Sequence, residues 1–491
     1  MKYLYMIKVT EFKNLIGTDG GLTLELTPFI QKELPEPLYS QLYHWIKKEI
    51  EESRLLPGMK MPSIRQLTLY LKVSRNTVEA AYQQLQSEGY LESVPKSGIW
   101  VAEIEKPFLH SCEGEHPIRL DCKSLSEILV DFEYGNVDIE KFPIKQWKKC
   151  LIDAVDQESF QYSERMGELA LRQEISNYLL QSRGVRSTSE QILITAGTQA
   201  SMTLICQLLA LREETVAMEE PGYTGVRSVF EDQGCHIEPV LLERDGLSVE
   251  YFQKSRAKAV YVTPSHQFPF GMVLPISKRM RILKWAYQTG GYIIEDDYDG
   301  EFRYRGQPIP SLKSLDEEER VIYLGTFSKS FLPSARLSYI VLPPSLMVQY
   351  SRKFAAYNQS VSPIIQRAIA LFMQSGEFER HIRRMRKMYQ RKHQALIRSI
   401  EQYMSTRVEI VGEKSGLHIL LKLKGITASE LIERGLKKGV KVYSPTLFWL
   451  HPSHESNSYI MLGFGGLSIE EIENGVRLLA GCLPGMEIGE G

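Results

Sequence analysis

From about residue 130 onward, short β-branched runs alternate with helical stretches, and this alternation constrains the fold more than any other feature of the chain. The runs are residues 191–195 (QILIT), 215–218 (TVAM), 259–263 (AVYVT), 292–294 (YII) and 321–324 (VIYL). Strands joined through helices pair in parallel, and runs without polar alternation are buried on both faces. The pattern therefore predicts an α/β domain with a largely parallel sheet. In such sheets ligands gather beyond the carboxyl ends of the strands, and most polar clusters of this sequence fall at those ends. A chain of 491 residues exceeds one ordinary core, so a further domain is expected.

That further domain reads from the first hundred residues. Leu38, Leu42, Trp45, Ile46 and Ile50 recur at helical spacing, and Leu56-Pro57-Gly58 breaks the pattern. Ser63 is placed to cap a second helix with Ile64, Leu67 and Leu71 on one face. Ser74 caps a third, whose stripe is Val78, Ala81, Tyr82 and Leu85 and whose end is Gly89. Residues 90–94 and 99–101 read as strands around the turn 95–98 (PKSG). Three helices and a hairpin follow the order of a winged helix-turn-helix.

The net charge of -1 gives no argument for a nucleic-acid partner, but the local pattern does. Between Ser53 and Val78 lie Arg54, Lys60, Arg65, Lys72 and Arg75, with no Asp or Glu. Ser74, Arg75, Asn76 and Thr77 open the third helix, where a recognition helix presents side chains to base edges. Arg65 and the wing-tip Lys96 are candidates for phosphate contacts. A small helical protein-interaction module with a solvated basic face has the same pattern.

The expected layout is an extension over residues 1–36, a DNA-binding domain over 37–104, a linker over 105–129 and the large domain over 130–491. The linker contains Pro107, Gly114 and Pro117 without periodicity. Six cysteines without a CxxC pair suit a reduced, cytoplasmic protein. No run matches a signal peptide or a membrane span, so no membrane partner is expected.

Three clusters carry candidate chemistry. Gly197-Thr198-Gln199 sits between a strand and a helix, where amides and a hydroxyl can cradle an anion. Glu295, Asp296, Asp297 and Tyr298 end another strand. Acidic clusters also suit metals, but no histidine lies nearby and no metal is expected. Residues 325–329 (GTFSK) place Lys329 among small and hydroxyl residues, with Arg336 seven positions later. Singly, each has an ordinary alternative as a small-residue turn, an acidic edge or a solvated lysine. Together they suggest a cofactor with a phosphate, an aldehyde and a pyridine nitrogen. A buried lysine supplies an amine for a Schiff base, and a carboxylate keeps the ring nitrogen protonated.

Residues 71–78 (LKVSRNTV) and 81–85 (AYQQL), with 62–63 (PS) and 88–91 (EGYL), resemble GntR-type winged helices. Residues 263–271 (TPSHQFPFG), 295–299 (EDDYD), 326–330 (TFSKS), 220–223 (EPGY) and 183–185 (RGV) resemble the type I aminotransferase-like domains of MocR regulators. The two resemblances together cover about residues 37–480. They imply pyridoxal 5'-phosphate (PLP), with Lys329 forming the internal aldimine, Asp296 facing the pyridine nitrogen and Tyr298 the 3'-oxygen. Tyr223 would stack on the ring, and His266 would lie near its 3'-oxygen side. Gly197, Thr198, Gln199, Thr326, Ser328 and Arg336 would form the phosphate cradle. A homodimer is also implied, presenting two winged helices to a repeated or inverted double-stranded DNA operator.

One departure bears on the effector. MocR members that recognise a free amino acid commonly clamp its carboxylate with arginine. Residues 457–464 (NSYIMLGF) resemble the segment that carries such an arginine, but position 457 is Asn. Thr224 and Gly225 follow Tyr223, where some members carry a second. Asparagine lacks the charged fork. The preferred effector is therefore PLP itself, as in MocR members that control vitamin B6 synthesis. Two alternatives stay open. One is an amine or peptide-like effector, its carboxylate absent or held by Arg227, Arg303, Arg305 or Arg352; the other is a working aminotransferase with a DNA-binding appendage.

Overall fold

The computed structural model of the chain describes residues 36–103, 128–155, 161–252, 254–304, 309–404, 406–413 and 415–484. The expected extension and linker lie outside the described residues, save for residues 36, 128 and 129. The chain divides into two compact units, one on either side of residues 104–127.

In the first unit, α1 (Leu38–Glu51), α2 (Ile64–Leu71) and α3 (Arg75–Ser87) follow the expected order. The caps are local and explain the boundaries. The Ser63 hydroxyl accepts from the Gln66 amide, and the Gln66 side chain returns the bond to Ser63. The Ser74 hydroxyl accepts from the Thr77 amide at 3.1 Å; losing such a cap costs about 1 kcal/mol. Strands β1 (Leu91–Val94) and β2 (Gly98–Val101) pair antiparallel, with Lys96 at a positive φ of 64° in the turn. Lys60 adds an isolated antiparallel bridge to Trp100, with Met61 N donating to Ile99 O and Val101 N to Met59 O. Leu42, Ile46, Leu67, Val78, Ala81, Tyr82, Leu85 and Leu91 form the buried core. Truncating Leu85 to alanine there removes about 2–5 kcal/mol.

The second unit opens with β3 (Val130–Asp131), α4 (Ile144–Asp153) and α5 (Leu169–Arg183). Its main sheet is built from β4 (Ile192–Thr195), β5 (Thr215–Glu220), β6 (His236–Glu243), β7 (Gly246–Leu247), β8 (Ala259–Val262), β9 (Tyr292–Asp297), β10 (Val321–Thr326) and β11 (Ser338–Val341). The strand order is β4-β11-β10-β9-β8-β5-β6-β7. Neighbours run parallel except for β11, antiparallel to both β4 and β10, and β7, antiparallel to β6. All five expected runs are in this sheet. The central strands are buried throughout, because helices including α6 (Thr198–Leu208) and α7 (Thr224–Asp232) cover the sheet.

A second, antiparallel sheet contains β12 (Val408–Val411), β13 (His418–Leu423) and β15 (Tyr459–Gly463). The remaining strand, β14 (Val440–Lys441), pairs in parallel with β3, which ties the start of this unit to its C-terminal part. Ile460 and Leu462 share a core with Met385, Tyr389, Leu396 and Ile400 of the helix Glu377–Met404. Among the described residues no helix is long and apolar enough to cross a membrane.

Candidate functional site

The carboxyl ends of β4, β5, β8, β9 and β10 converge on a cavity of about 230 Å³. Lys329 enters it from the one-turn helix Phe327–Ser330 that follows β10, started by a bond from the Ser328 amide to the Thr326 hydroxyl. Its Nζ stands 4.4 Å from the centroid of the Tyr134 ring. Gly135 lies against the same atom at a φ of 110°, and a Cβ there would come within 3.0 Å of Nζ. Burial lowers the Lys329 pKa to about 8, while Asp299 and Glu133 pull it back up. A pKa near 8 leaves about a tenth of the amine neutral at pH 7, far more than an ordinary lysine, and a Schiff-base lysine needs that neutral form.

Three consecutive carboxylates of β9 have separate fates. Glu295 accepts from the Leu312 and Lys313 amides at 2.7 Å each. Asp297 is held by Arg183, with Nε at 2.7 Å and Nη2 at 2.9 Å, and by the Tyr323 hydroxyl at 2.7 Å. Asp296, on the other face of the strand, accepts from the Tyr261 hydroxyl at 2.6 Å through Oδ2. Its Oδ1 is buried and has no partner among the described residues. Burial pushes this carboxyl up to about 7, with the charges of Asp297 and Asp299 adding to the shift and the Tyr261 bond opposing it. An unpaired buried acceptor costs about 1–3 kcal/mol. A protonated pyridine nitrogen would supply the donor that this oxygen lacks.

The phosphate candidates also come together. Gly197 precedes α6 at a φ of 101°, and a Cβ on it would lie 2.8 Å from Arg336 Nη2. Arg336 is thereby laid over the first amides of α6, where the helix dipole already favours an anion. Thr198, Gln199, Thr326 and Ser328 line the same end of the cavity. Tyr223 and Tyr298 line it too. His266 does not: it stands behind Tyr298, with Nδ1 2.8 Å from the Tyr298 hydroxyl and 3.0 Å from both Asp299 oxygens. Any effect of His266 on a ligand passes through that phenol.

Tyr134, Gly135, Tyr261 and Phe268 also line the cavity and were not anticipated as site residues. A tyrosine in the aliphatic run AVYV was the available sign of Tyr261; Tyr134 and Gly135 carried none. The clamp segment differs from expectation as well. Asn457 lies outside the cavity and accepts from the Ser429 hydroxyl at 3.2 Å. β15 sends Tyr459 and Met461 into a buried cluster with Phe268 on which Tyr134, Tyr223 and Tyr298 pack, and Met461 itself does not line the cavity. Arg227 donates to the carbonyls of Leu447 and Phe448, and Arg352 is exposed on its helix. Neither lines the cavity, nor does Arg303, and Arg305 lies outside the described residues. Among described residues the lining cations are Lys329 and Arg336.

At the start of α3, Arg75 projects into solvent, its side chain 76% exposed and 3.6 Å from Glu79. Asn76, Arg65 and Lys96 are exposed too. Ser74 and Thr77 face each other, their hydroxyls 2.8 Å apart, so they shape the helix start. Arg54 is paired with Glu49 and Glu52, and Lys60 lies 5.4 Å from the Trp100 ring centroid. The basic surface of this unit is narrower than the count of basic residues suggested.

Residues 38–101 match the model of the bacterial regulatory proteins of the gntR family, and residues 127–474 that of aminotransferase class I and II. The chain belongs to the MocR-type regulators. A MocR-type regulator pairs a DNA-binding unit with an aminotransferase-like one, and both are present here. The chain is 40% identical to YdeL of Bacillus subtilis, described as an uncharacterized HTH-type transcriptional regulator, over 93% of this chain and 99% of that protein. It is 30% identical to the pyridoxine biosynthesis transcriptional regulator PdxR of Corynebacterium glutamicum, over 91% of this chain and 95% of that one. The second unit is similar to the α-aminoadipate aminotransferase LysN of Thermus thermophilus, solved with N-(5'-phosphopyridoxyl)-L-leucine. That likeness has a TM-score of 0.65 and 27% identity, and covers 72% of this chain and 92% of LysN. The orphaned Asp296 oxygen, the lysine and the glycine-started helix beneath Arg336 fit a phosphorylated pyridine aldehyde.

Proposed function

We propose that this MocR-type regulator responds to PLP itself and controls genes of vitamin B6 synthesis. One observation carries the reading. The cavity is about 230 Å³, below the usual range of ligand pockets, and its two lining cations suit the aldehyde and the phosphate of the cofactor. A second ligand with a carboxylate finds no further positive charge among the described residues that line it. The likeness to PdxR supports the same role.

Bound at this site, PLP supplies an electrophilic carbon and a ring that accepts electrons. The chain's own residues do the holding. Lys329 would offer its amine, Asp296 would keep a proton on the ring nitrogen, and the start of α6 with Arg336, Thr326 and Ser328 would hold the phosphate. Tyr223 would cover the ring, and Tyr298, held by His266 and Asp299, would donate toward the 3'-oxygen. The regulator works in the cytoplasm as a homodimer on double-stranded DNA, with Arg75 and Asn76 at base edges and Arg65 and Lys96 at phosphates.

The test is binding of the cofactor-free protein to its own upstream DNA while PLP is titrated in and no amine is added. A change in affinity or footprint is expected. An unchanged footprint at saturating PLP refutes PLP as the signal.

A further inference from the structure

Strand β15 alternates in the usual way, so its neighbours part company. Ile460 and Leu462 enter the core beside the helix Glu377–Met404, while Met461 enters the cluster with Phe268, Leu420 and Tyr459. Met461 is 2% exposed, and its amide is fixed to the Tyr443 carbonyl at 2.8 Å. Tyr134, Tyr223 and Tyr298 pack on this cluster, and these three rings with Phe268 are also walls of the cavity. Met461 therefore belongs to the buried cluster on which this aromatic wall packs, without itself lining the cavity.

A carboxylate brought against such a wall loses its water, and losing it without a paired cation costs several kcal/mol. The two lining cations are already matched to the cofactor. The carboxylates whose charge reaches Lys329, those of Asp299 and Glu133, repel a further anion. A primary amine without a carboxylate meets neither penalty, and its apolar body gains contact with the rings.

We infer that Met461 makes the cofactor site selective against carboxylates, so that primary amines lacking a carboxylate engage it and free amino acids do not. This selectivity presupposes PLP held at Lys329, and it keeps a PLP-reading site deaf to the amino acid pool. Engagement is redox-neutral: the carbon–nitrogen bond to Lys329 Nζ is replaced by one to the incoming amine, whose two protons pass to the lysine.

The experiment titrates the PLP-loaded, full-length protein with matched pairs, phenethylamine against phenylalanine and tyramine against tyrosine, and follows the visible absorption of the cofactor. Each amine is expected to half-saturate at a concentration at least tenfold below that of its amino acid. Met461→Arg, which supplies the missing cation, should shrink or invert that ratio, and the volume-conserving Met461→Leu should keep it. Wild-type protein that treats both members of each pair alike overturns the inference without recourse to any variant. An unchanged ratio in a Met461→Arg protein that still takes up PLP overturns it too. A chain that takes up no PLP at all overturns the parent reading as well, so the two failures are distinguishable.

Discussion

Asp296→Asn separates the two roles of a buried carboxylate, one in the fold and one at the ligand. In the cofactor-free protein this carboxyl is pushed from 3.8 up to about 7, chiefly by burial. A shift of about 3 units disfavours the ionised form by about 4 kcal/mol. Between the two values the folded protein holds a proton that the unfolded chain has released, so stability falls as pH rises through this window. Above pH 7 the penalty is complete. About 3 kcal/mol of it therefore appears between pH 5 and pH 8. Asparagine carries no charge and escapes it. The variant should gain on wild type by that amount over the same interval, or about 3–4 °C of melting temperature for a unit of this size. Added PLP should reverse the order, because its ring nitrogen pairs with the wild-type carboxylate and meets only an amide in the variant. Thermal unfolding of both cofactor-free proteins at pH 5 and pH 8, with and without PLP, measures each term. Parallel shifts of the two proteins with pH, or equal stabilisation by PLP, refute the reasoning.

Lys329, lowered to about 8, predicts that the rate of PLP capture rises about 30-fold from pH 6.5 to 9 and then levels off. Stopped-flow absorbance tests this, and a rate still climbing tenfold per unit at pH 10 denies the shift. Gly197→Ala forces a side chain at a φ of 101° to within 2.8 Å of Arg336 Nη2, so PLP affinity should fall by about tenfold or more. An unaltered absorbance titration would remove Gly197 and Arg336 from the phosphate cradle. Arg75→Ala should weaken operator binding by about 1–3 kcal/mol in a gel-shift assay while PLP uptake stays intact. Loss of both together would indicate misfolding.

How much was legible depended on how local each signal is. The second and third helices of the first unit were readable because their caps, Ser63 and Ser74, lie within three residues of the amides they satisfy, and the first, which has no side-chain cap, from the spacing of its apolar residues. The five expected strands were readable because a sheet covered on both faces tolerates only apolar runs. Strand β11 was not, since its four residues (SYIV) carry no mark of the antiparallel slot between β4 and β10. At the site, the motif residues at strand ends were anticipated, because each end is itself a local feature. Tyr134 and Tyr261 were not, because only the packing of separate elements brings them to Lys329 and Asp296. Asn457 and Met461 teach the same lesson at finer scale. Asn457 precedes β15 and lies outside the cavity lining, while the phase of a period-two strand sends Met461, not Ile460 or Leu462, into the cluster with Phe268. Likewise Arg54 and Lys60 counted as basic in the sequence, yet both are engaged within their own unit.

The three carboxylates of β9 differ in where their counterparts come from. Glu295 and Asp297 are answered by amides, an arginine and a tyrosine that belong to the chain and cannot leave. Asp296 is answered by Tyr261 on one oxygen, and on the other only by something that arrives from solution. On the function proposed above, the middle strand of the sheet would borrow part of its charge neutrality from a metabolite. A protein built this way has two grades of nativeness, solvent-completed and self-completed, on one strand, and the abundance of a small molecule sets which grade its centre enjoys.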